Sequence, residues 1–226
     1  MTSSMWAGAT PEGGNPSDLG RDAAVTRSLL RCGVVAGSFY LAVGLAQALL
    51  REGFDLARHP LSLLANGPGG WIQTANFLLT GGMVLAAAVG FRRVLGRGSL
   101  GVTILLGGYG LAMIAAAAFP ADPVDGFPPG TPEGFPTTIS TTGLLHFAAG
   151  ALAFALLGFS CLFAAWTMRR RGRSALALFS LLSGLAVLFG FFGGMMVPVG
   201  ILGIWGAVVV GWAWLAVVSL HLSRRV

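Results

Sequence analysis

Two histidines and one aspartate are the residues of this sequence whose types could do chemistry together. His59 lies in the segment RHPLS, Asp122 in FPADP, and His146 in TTGLLH. Two neutral imidazoles and a carboxylate are the ligand set of a catalytic zinc ion that keeps one coordination position open. These three residues are therefore the candidate metal ligands, with zinc as the candidate metal. No catalytic residue is assigned.

Two further residues belong to the same candidate site. Arg58 could hold a phosphate or carboxylate headgroup, and Ser62 adds a hydroxyl close by in the chain. However, the candidates come from separate segments, and the sequence has neither an H-x-x-x-H nor an H-E-x-x-H spacing. A structural role stays open for each: His146 bonded to a loop carbonyl, His59 capping a turn, and Asp122 fixing the Asp-Pro turn.

The composition places these residues in a membrane protein. Of the 226 residues, 55% are hydrophobic and 10% are charged, and the mean hydropathy is +0.79. Soluble domains carry about 25% charged residues. The basic excess, 14 Lys+Arg against 8 Asp+Glu, does not indicate a nucleic-acid partner, because the basic residues are all arginines in short clusters between apolar runs.

Six apolar runs are each close to the ~20 residues that a bilayer core requires. The sequence therefore predicts an all-α fold, a six-transmembrane-helix up-down bundle formed by residues 28–226. Residues 1–27 are rich in Gly, Ser and Pro without apolar periodicity, which predicts a disordered cytoplasmic N-terminal tail. The predicted spans are residues 29–50, 71–89, 100–119, 142–168, 175–197 and 200–222, with a tight turn at Val197-Pro198-Val199 between the last two.

The positions of the arginines predict the orientation. Arg51 and Arg58 lie in one set of connections, and the other twelve of the fourteen lie before the first run, in the alternate connections or at the end of the chain. Because cytoplasmic loops carry the excess of Lys and Arg, both termini are predicted to be cytoplasmic and the protein to lie in the plasma membrane. The loops at about residues 51–70 and 120–141 are then on the outer face.

Small and polar residues form stripes on the first two predicted helices. The first helix has Gly33, Gly37, Tyr40, Gly44, Gln47 and Arg51 at spacings of three and four, and the second has Gln73, Asn76 and Thr80. We expect these faces to turn towards protein, either packing through interhelical hydrogen bonds or lining a shallow pocket beneath the outer loops.

Glycine pairs and the lack of buried charge bear on partners and on transport. The pairs Gly33-x-x-x-Gly37 and Gly190-x-x-x-Gly194 also allow a homo-oligomer to form through glycine-rich helix faces. No Asp, Glu, Lys or Arg lies well inside a run, which argues against a charge-coupled transporter.

The outer loops resemble those of a known family. His59-Pro60-Leu61-Ser62, then Gly67-Pro68-Gly69-Gly70-Trp71 and Asn76-Phe77, together with Phe119-Pro120-Ala121-Asp122-Pro123 and Gly143-Leu144-Leu145-His146, are similar to the bacterial and archaeal membrane proteins grouped as domain of unknown function 998. The resemblance covers roughly residues 30–222. It implies a six-helix integral membrane protein without an established activity, and its motif positions include His59, Ser62, Asp122 and His146.

The prediction for function follows from the outer loops. The proline-rich loop after residue 119 is expected to fold over the bundle, with a hydroxyl from residues 137–142 capping the fourth helix. The first hypothesis is a membrane protein that binds lipid or a partner through this face. A metal-dependent hydrolase of outer-leaflet lipid and a carrier for a neutral solute are the alternatives.

Overall fold

The computed structural model describes residues 16–194 and 200–226, and these residues form helices and loops without a strand. Short 3-10 helices, Leu61–Ala65 and Arg97–Ser99, lie in two of the connections, and a π-helical segment, Phe189–Gly193, continues the fifth helix. The long helices are α1 (Pro16–Leu50), α2 (Gly70–Leu95), α3 (Leu100–Ala118), α4 (Thr141–Arg170), α5 (Ser174–Leu188) and α6 (Gly200–Ser223).

Six helices are long and apolar enough to cross a membrane. This confirms the predicted all-α fold with six spans, and the chain is a multi-pass membrane protein. The fifth span runs over Ser174–Gly193, whereas the sequence predicted residues 175–197. The predicted turn at Val197-Pro198-Val199 lies outside the described residues.

The beginning of α1 corrects the predicted tail. The helix begins at Pro16, so residues 16–27, which the sequence analysis assigned to a disordered tail, are helical. A proline at the first helical position and Asp18 in the first turn both favour a helix start. Arg27 also donates a hydrogen bond to the backbone carbonyl of Val226. The helical extension is therefore held against the other end of the chain, and residues 1–15 lie outside the described part.

Each helix packs on its sequence neighbours, and α6 packs on α1, so that the six helices form a closed ring. The α1–α2 and α3–α4 connections, residues 51–69 and 119–140, lie at the same end of this ring, here called the loop face. The opposite end, with the α2–α3 and α4–α5 connections and the C-terminus, is called the arginine face. Arg171 of that face donates to the carbonyl of Leu95 at 2.5 Å, which joins its two connections.

A buried ladder of amides joins α1 to α2, as the polar stripes predict. Gln47 Nε2 donates to Gln73 Oε1 at 3.0 Å, and Asn76 Nδ2 donates to the backbone carbonyl of Tyr40 at 3.1 Å. Thr80 extends the ladder by donating to Asn76 Oδ1 at 3.3 Å. Because lipid offers polar groups no partner, these bonds fix which faces of α1 and α2 meet.

Both predicted glycine pairs pack against α6 of the same chain. A Cβ on Gly37 would lie 2.5 Å from Trp212 Cβ, and one on Gly33 would meet Ser219. On the other side of α6, a Cβ on Gly190 would lie 2.8 Å from the carbonyl oxygen of Gly203. The close approach that small residues permit is therefore used within the bundle. A homo-oligomer through glycine faces stays a prediction.

Candidate functional site

His59 is a buried residue that locks the first loop to the second. Its Nδ1 accepts a hydrogen bond from the backbone N–H of Asp55 at 2.9 Å, which closes the turn before Pro60. Since Nδ1 therefore presents its lone pair, the proton lies on Nε2, which donates to the carbonyl of Asp125 at 2.9 Å. The imidazole is 1% exposed and packs against Phe54 and Phe127.

Arg58 also bonds across the two loops. Its guanidinium donates to both carboxylate oxygens of Asp125, at 3.0 and 2.6 Å, and to Glu133. The Arg58 hydrogen bond, followed by the backbone N–H of Gly134, lowers the pKa of the Asp125 carboxyl. The same two carboxylates raise the pKa of Arg58. The group expected to hold a lipid headgroup is thus engaged by acids of its own chain.

Arg51 and Phe127 form the centre of this loop assembly. Phe127 is fully buried, and the guanidinium of Arg51 lies 5.1 Å from its ring centroid. Arg51 also donates to the carbonyls of Leu64 and Asn66 at 3.0 and 2.5 Å. Partial burial lowers the pKa of Arg51. Residues 51–66 and 119–140 together make one ordered structure, here called the loop cap.

Asp122 fastens the second loop to the start of α4. Its carboxylate accepts from the backbone N–H of Ser140 at 2.8 Å and from the Ser140 hydroxyl at 2.5 Å. Ser140 is the N-cap of α4, and its hydroxyl accepts from the N–H of Gly143 at 3.0 Å. The predicted hydroxyl cap of α4 is confirmed. A carboxylate here also complements the positive end of the helix dipole.

His146 lies one turn further along α4 and points into the bundle. Its ring is 6% exposed, and Nδ1 donates to the carbonyl of Phe119 at 2.7 Å. This is the structural bond to a loop carbonyl that the sequence analysis left open. Because Nδ1 carries the proton in the neutral ring, Nε2 presents a lone pair. The ring contacts Phe77 edge to face, with centroids 6.4 Å apart.

The three candidate metal ligands are held in three separate sets of hydrogen bonds. His59 uses both ring nitrogens within the loop cap, Asp122 binds Ser140, and His146 binds the end of α3. Across residues 16–194 and 200–226, no group of three or more His, Cys, Asp or Glu is arranged to hold a metal ion. The structure does not bring the proposed zinc ligands together.

A cavity of about 170 Å³ lies beneath the loop cap, inside the ring of helices. Its loop-face end is formed by His146 and by Pro60, Leu61 and Ser62 of the first loop. Of the five candidate site residues, His146 and Ser62 therefore meet here, whereas His59, Arg58 and Asp122 do not line the cavity. Among the described residues, the remaining lining is apolar and aromatic, without a charged side chain.

Aromatic rings form the deep end and one wall of the cavity. Trp212 of α6 lies between Tyr40 and Tyr109, with ring centroids 5.5 and 5.7 Å away. On the wall, Phe154 of α4 stacks on Phe191 of the π-helical segment at 4.1 Å. Phe147, another lining residue, is 49% exposed on the outside of the bundle. The wall beside α4 therefore includes a side chain that is also exposed on the bundle surface.

Arg51 and Phe127 were not predicted from the sequence as parts of the site, and the turn at Asp125 was not predicted either. Asp125 has a positive φ of 54°, and Gly126 beside it has φ 84°. The dipeptide Asp-Gly is a signal for such a turn and could have marked this position. The partners of Phe127 and Arg51 come from the other loop, and no local pattern in either loop encodes that contact.

A known protein family matches the part of the chain that contains the loop segments of the site. The family model described as protein of unknown function (DUF998) matches residues 34–221. The chain belongs to the DUF998 family. The matched range includes the whole loop cap and every residue that lines the cavity. No match to the chain was found among curated proteins or among solved structures.

Proposed function

We propose that this DUF998 protein binds lipid, and that the cavity beneath the loop cap holds the apolar chain. The observation that carries the proposal is the cavity itself, which is lined by apolar and aromatic side chains, one of which, Phe147, is also exposed on the bundle surface. An engineered protein cavity of about 150 Å³ stays dry and binds benzene. A cavity of about 170 Å³ therefore has room for a comparable segment of a lipid chain.

The loop cap supports this proposal by closing the cavity towards water. Pro60, Leu61 and Ser62 are both cap residues and lining residues, and the indole N–H of Trp205 donates to the carbonyl of Leu56 at 3.0 Å. Trp205 also lines the cavity. With a hydrogen-bonded roof and a lipid-facing wall, the direct route for an apolar ligand is from the bilayer.

We place the loop cap on the outer side of the plasma membrane, with both termini in the cytoplasm. The loop-face connections carry five acidic residues and two arginines, whereas the other twelve arginines belong to the arginine face. The positive-inside rule supports this orientation. Since the candidate metal ligands are dispersed, we do not propose the metal-dependent hydrolase.

The experiment uses a phosphatidylcholine that carries a photoreactive diazirine near the end of one acyl chain. The protein is reconstituted with this lipid in nanodiscs, irradiated, and mapped by mass spectrometry. We expect crosslinks on cavity residues such as Met113 and Trp205, in addition to crosslinks on the lipid-facing surface. Gly150→Phe should reduce the cavity crosslinks about tenfold, because Gly150 lines the cavity and has open space beside it.

Gly206→Phe is the matched control. Gly206 also has open space beside it, but it is exposed and does not line the cavity. Its cavity crosslinks should equal those of the wild type. Cavity crosslinks that persist undiminished in Gly150→Phe would exclude the cavity as the lipid site.

A further inference from the structure

The chemistry of the cavity lining selects among lipids, and this inference rests on the proposed function. We infer that the cavity takes a neutral single-chain amphiphile with a hydroxyl group, and that this hydroxyl donates a hydrogen bond to His146 Nε2. The chain of the ligand then runs from His146 towards the aromatic rings at the deep end.

The His146 ring presents a hydrogen-bond acceptor to the cavity. Nδ1 donates to the Phe119 carbonyl at 2.7 Å, and the carbonyl of Ala116 also lies close to the ring. With the proton on Nδ1, the neutral ring presents a lone pair at Nε2. The ring is more than nine-tenths buried and lines the cavity. None of the hydrogen bonds within the described residues donates to Nε2, and the hydroxyl of a ligand in the cavity would supply a donor.

The described lining of the cavity is uncharged. Among the described residues that line the cavity there is no Arg, Lys, Asp or Glu, and the nearby Arg58 and Arg51 are bonded within the loop cap. Transfer of a carboxylate or phosphate into such an environment without a partner is strongly unfavourable. An anionic headgroup therefore does not fit inside, whereas a neutral hydroxyl does.

The polar and aromatic lining residues lie at different depths in the bundle. Tyr109 precedes Ala116, the α3 residue that lines the cavity nearest to the His146 contact, by seven residues, which is about 10 Å along a helix. His146 and Ser62 thus lie near the loop face, and Tyr40, Tyr109 and Trp212 lie deeper. This is the order that an amphiphile adopts in a leaflet, with the polar group near the interface and the chain towards the midplane.

The test compares four probes of equal chain length as competitors of the photoreactive lipid in detergent micelles. These are dodecanol, dodecyl methyl ether, dodecane and dodecanoate, each expressed as its mole fraction in the micelle. Dodecanol should compete about fivefold better than the ether and the alkane, since only the alcohol can donate a hydrogen bond. An ether that competes as well as the alcohol would overturn the assignment, and so would dodecanoate competing best.

Two variants locate the hydrogen bond. His146→Phe should remove the advantage of dodecanol while dodecane competes as in the wild type, which also shows that the cavity remains folded. Tyr109→Phe should keep the advantage. The opposite pattern, loss in Tyr109→Phe and retention in His146→Phe, would overturn the inference. If His146→Phe does not fold, the comparison of dodecanol with dodecyl methyl ether on the wild type still tests whether the ligand hydroxyl donates the hydrogen bond.

The outcomes separate this inference from the proposed function. Equal competition by dodecanol and dodecane would overturn the hydroxyl assignment and leave a cavity that binds apolar chains. Failure of every probe, together with unchanged crosslinks in Gly150→Phe, would overturn both.

Discussion

At the scale of residues, the loop cap is organised by one acidic residue that joins both loops. The backbone carbonyl of Asp125 accepts from His59, and its carboxylate accepts from Arg58 and from the N–H of Gly134 at 3.1 Å. Asp125 has a positive φ, and in this backbone conformation its carbonyl and its carboxylate bond to different partners. The charge of Asp125 therefore stabilises the cap as long as the carboxyl is ionised.

Asp125→Asn removes that charge while keeping a residue that tolerates a positive φ. Because Arg58 lowers the folded-state pKa of Asp125, the stabilisation is present above the unfolded pKa of about 3.9 and is lost as the pH falls through the folded value. At pH 7 we expect the variant to unfold about 2–4 °C below the wild type. The difference between the two unfolding temperatures should be smaller at pH 3. Tryptophan fluorescence during heating measures both temperatures.

Glu52→Gln is the control for this measurement. Glu52 is exposed in the first loop of the same loop cap, and its change alters the net charge equally. The unfolding temperature of Glu52→Gln should equal that of the wild type at both pH values. If the unfolding temperature of Asp125→Asn lies equally far below that of the wild type at pH 7 and at pH 3, the substitution acts through the shape of the side chain and not through its charge.

At the scale of elements, α6 is the helix against which the small residues of the bundle pack. Gly33 and Gly37 of α1 contact one side of it, and Gly190 of the π-helical segment contacts another. Trp212, which lies against Gly37, also forms the deep end of the cavity. The distance between α1 and α6 therefore sets the position of a ring that lines the cavity.

Gly37→Ala tests this packing. The added Cβ would lie 2.5 Å from Trp212 Cβ, so α1 and α6 must move apart, and overpacking of this kind costs about 1–3 kcal/mol. We expect a lower unfolding temperature and weaker crosslinking in the cavity. Gly82→Ala, where the new methyl group meets nothing within 4 Å, should unfold at or slightly above the wild-type temperature. Equal unfolding temperatures for the two variants would contradict the close α1–α6 contact.

The helices could be predicted from the sequence because each long apolar run satisfies one physical requirement, the thickness of the bilayer. The polar face of α2 was equally readable, since Gln73, Asn76 and Thr80 recur at helical spacing. The helical residues 16–27 were missed because helix formation there does not depend on an apolar stripe. It is supported by the start signals at Pro16 and Asp18 and by the long-range contact of Arg27 with Val226.

The site was less predictable than the fold. His59, Asp122 and His146 have residue types that suit a metal, but side-chain chemistry does not encode which backbone groups they will meet. Each of them bonds to loop or helix-end backbone. The cavity is lined by side chains from α1, α2, α3, α4 and α6. The sequence pattern of one helix does not indicate which side chains of the other four will face it.

At the scale of the whole molecule, the loop face and the arginine face differ in charge and in the structure of their connections. The loop face carries a hydrogen-bonded cap with five acidic residues and two arginines, and the arginine face carries twelve arginines. If the loop face is outside the cell, the cavity is roofed on the outer side and receives its ligand from the outer leaflet. The side on which the loop cap lies therefore decides which leaflet would supply the proposed lipid.

Single cysteines test this orientation in intact cells that express the full chain. Thr138→Cys is exposed in the loop cap, and Arg224→Cys is exposed on the arginine face. The native Cys32 and Cys161 lie within α1 and α4, and the wild type measures their background. A membrane-impermeant maleimide should label the first variant in intact cells and the second only after permeabilisation, because positively charged loops stay in the cytoplasm. The reverse pattern would place the loop cap in the cytoplasm, and the ligand would then come from the inner leaflet.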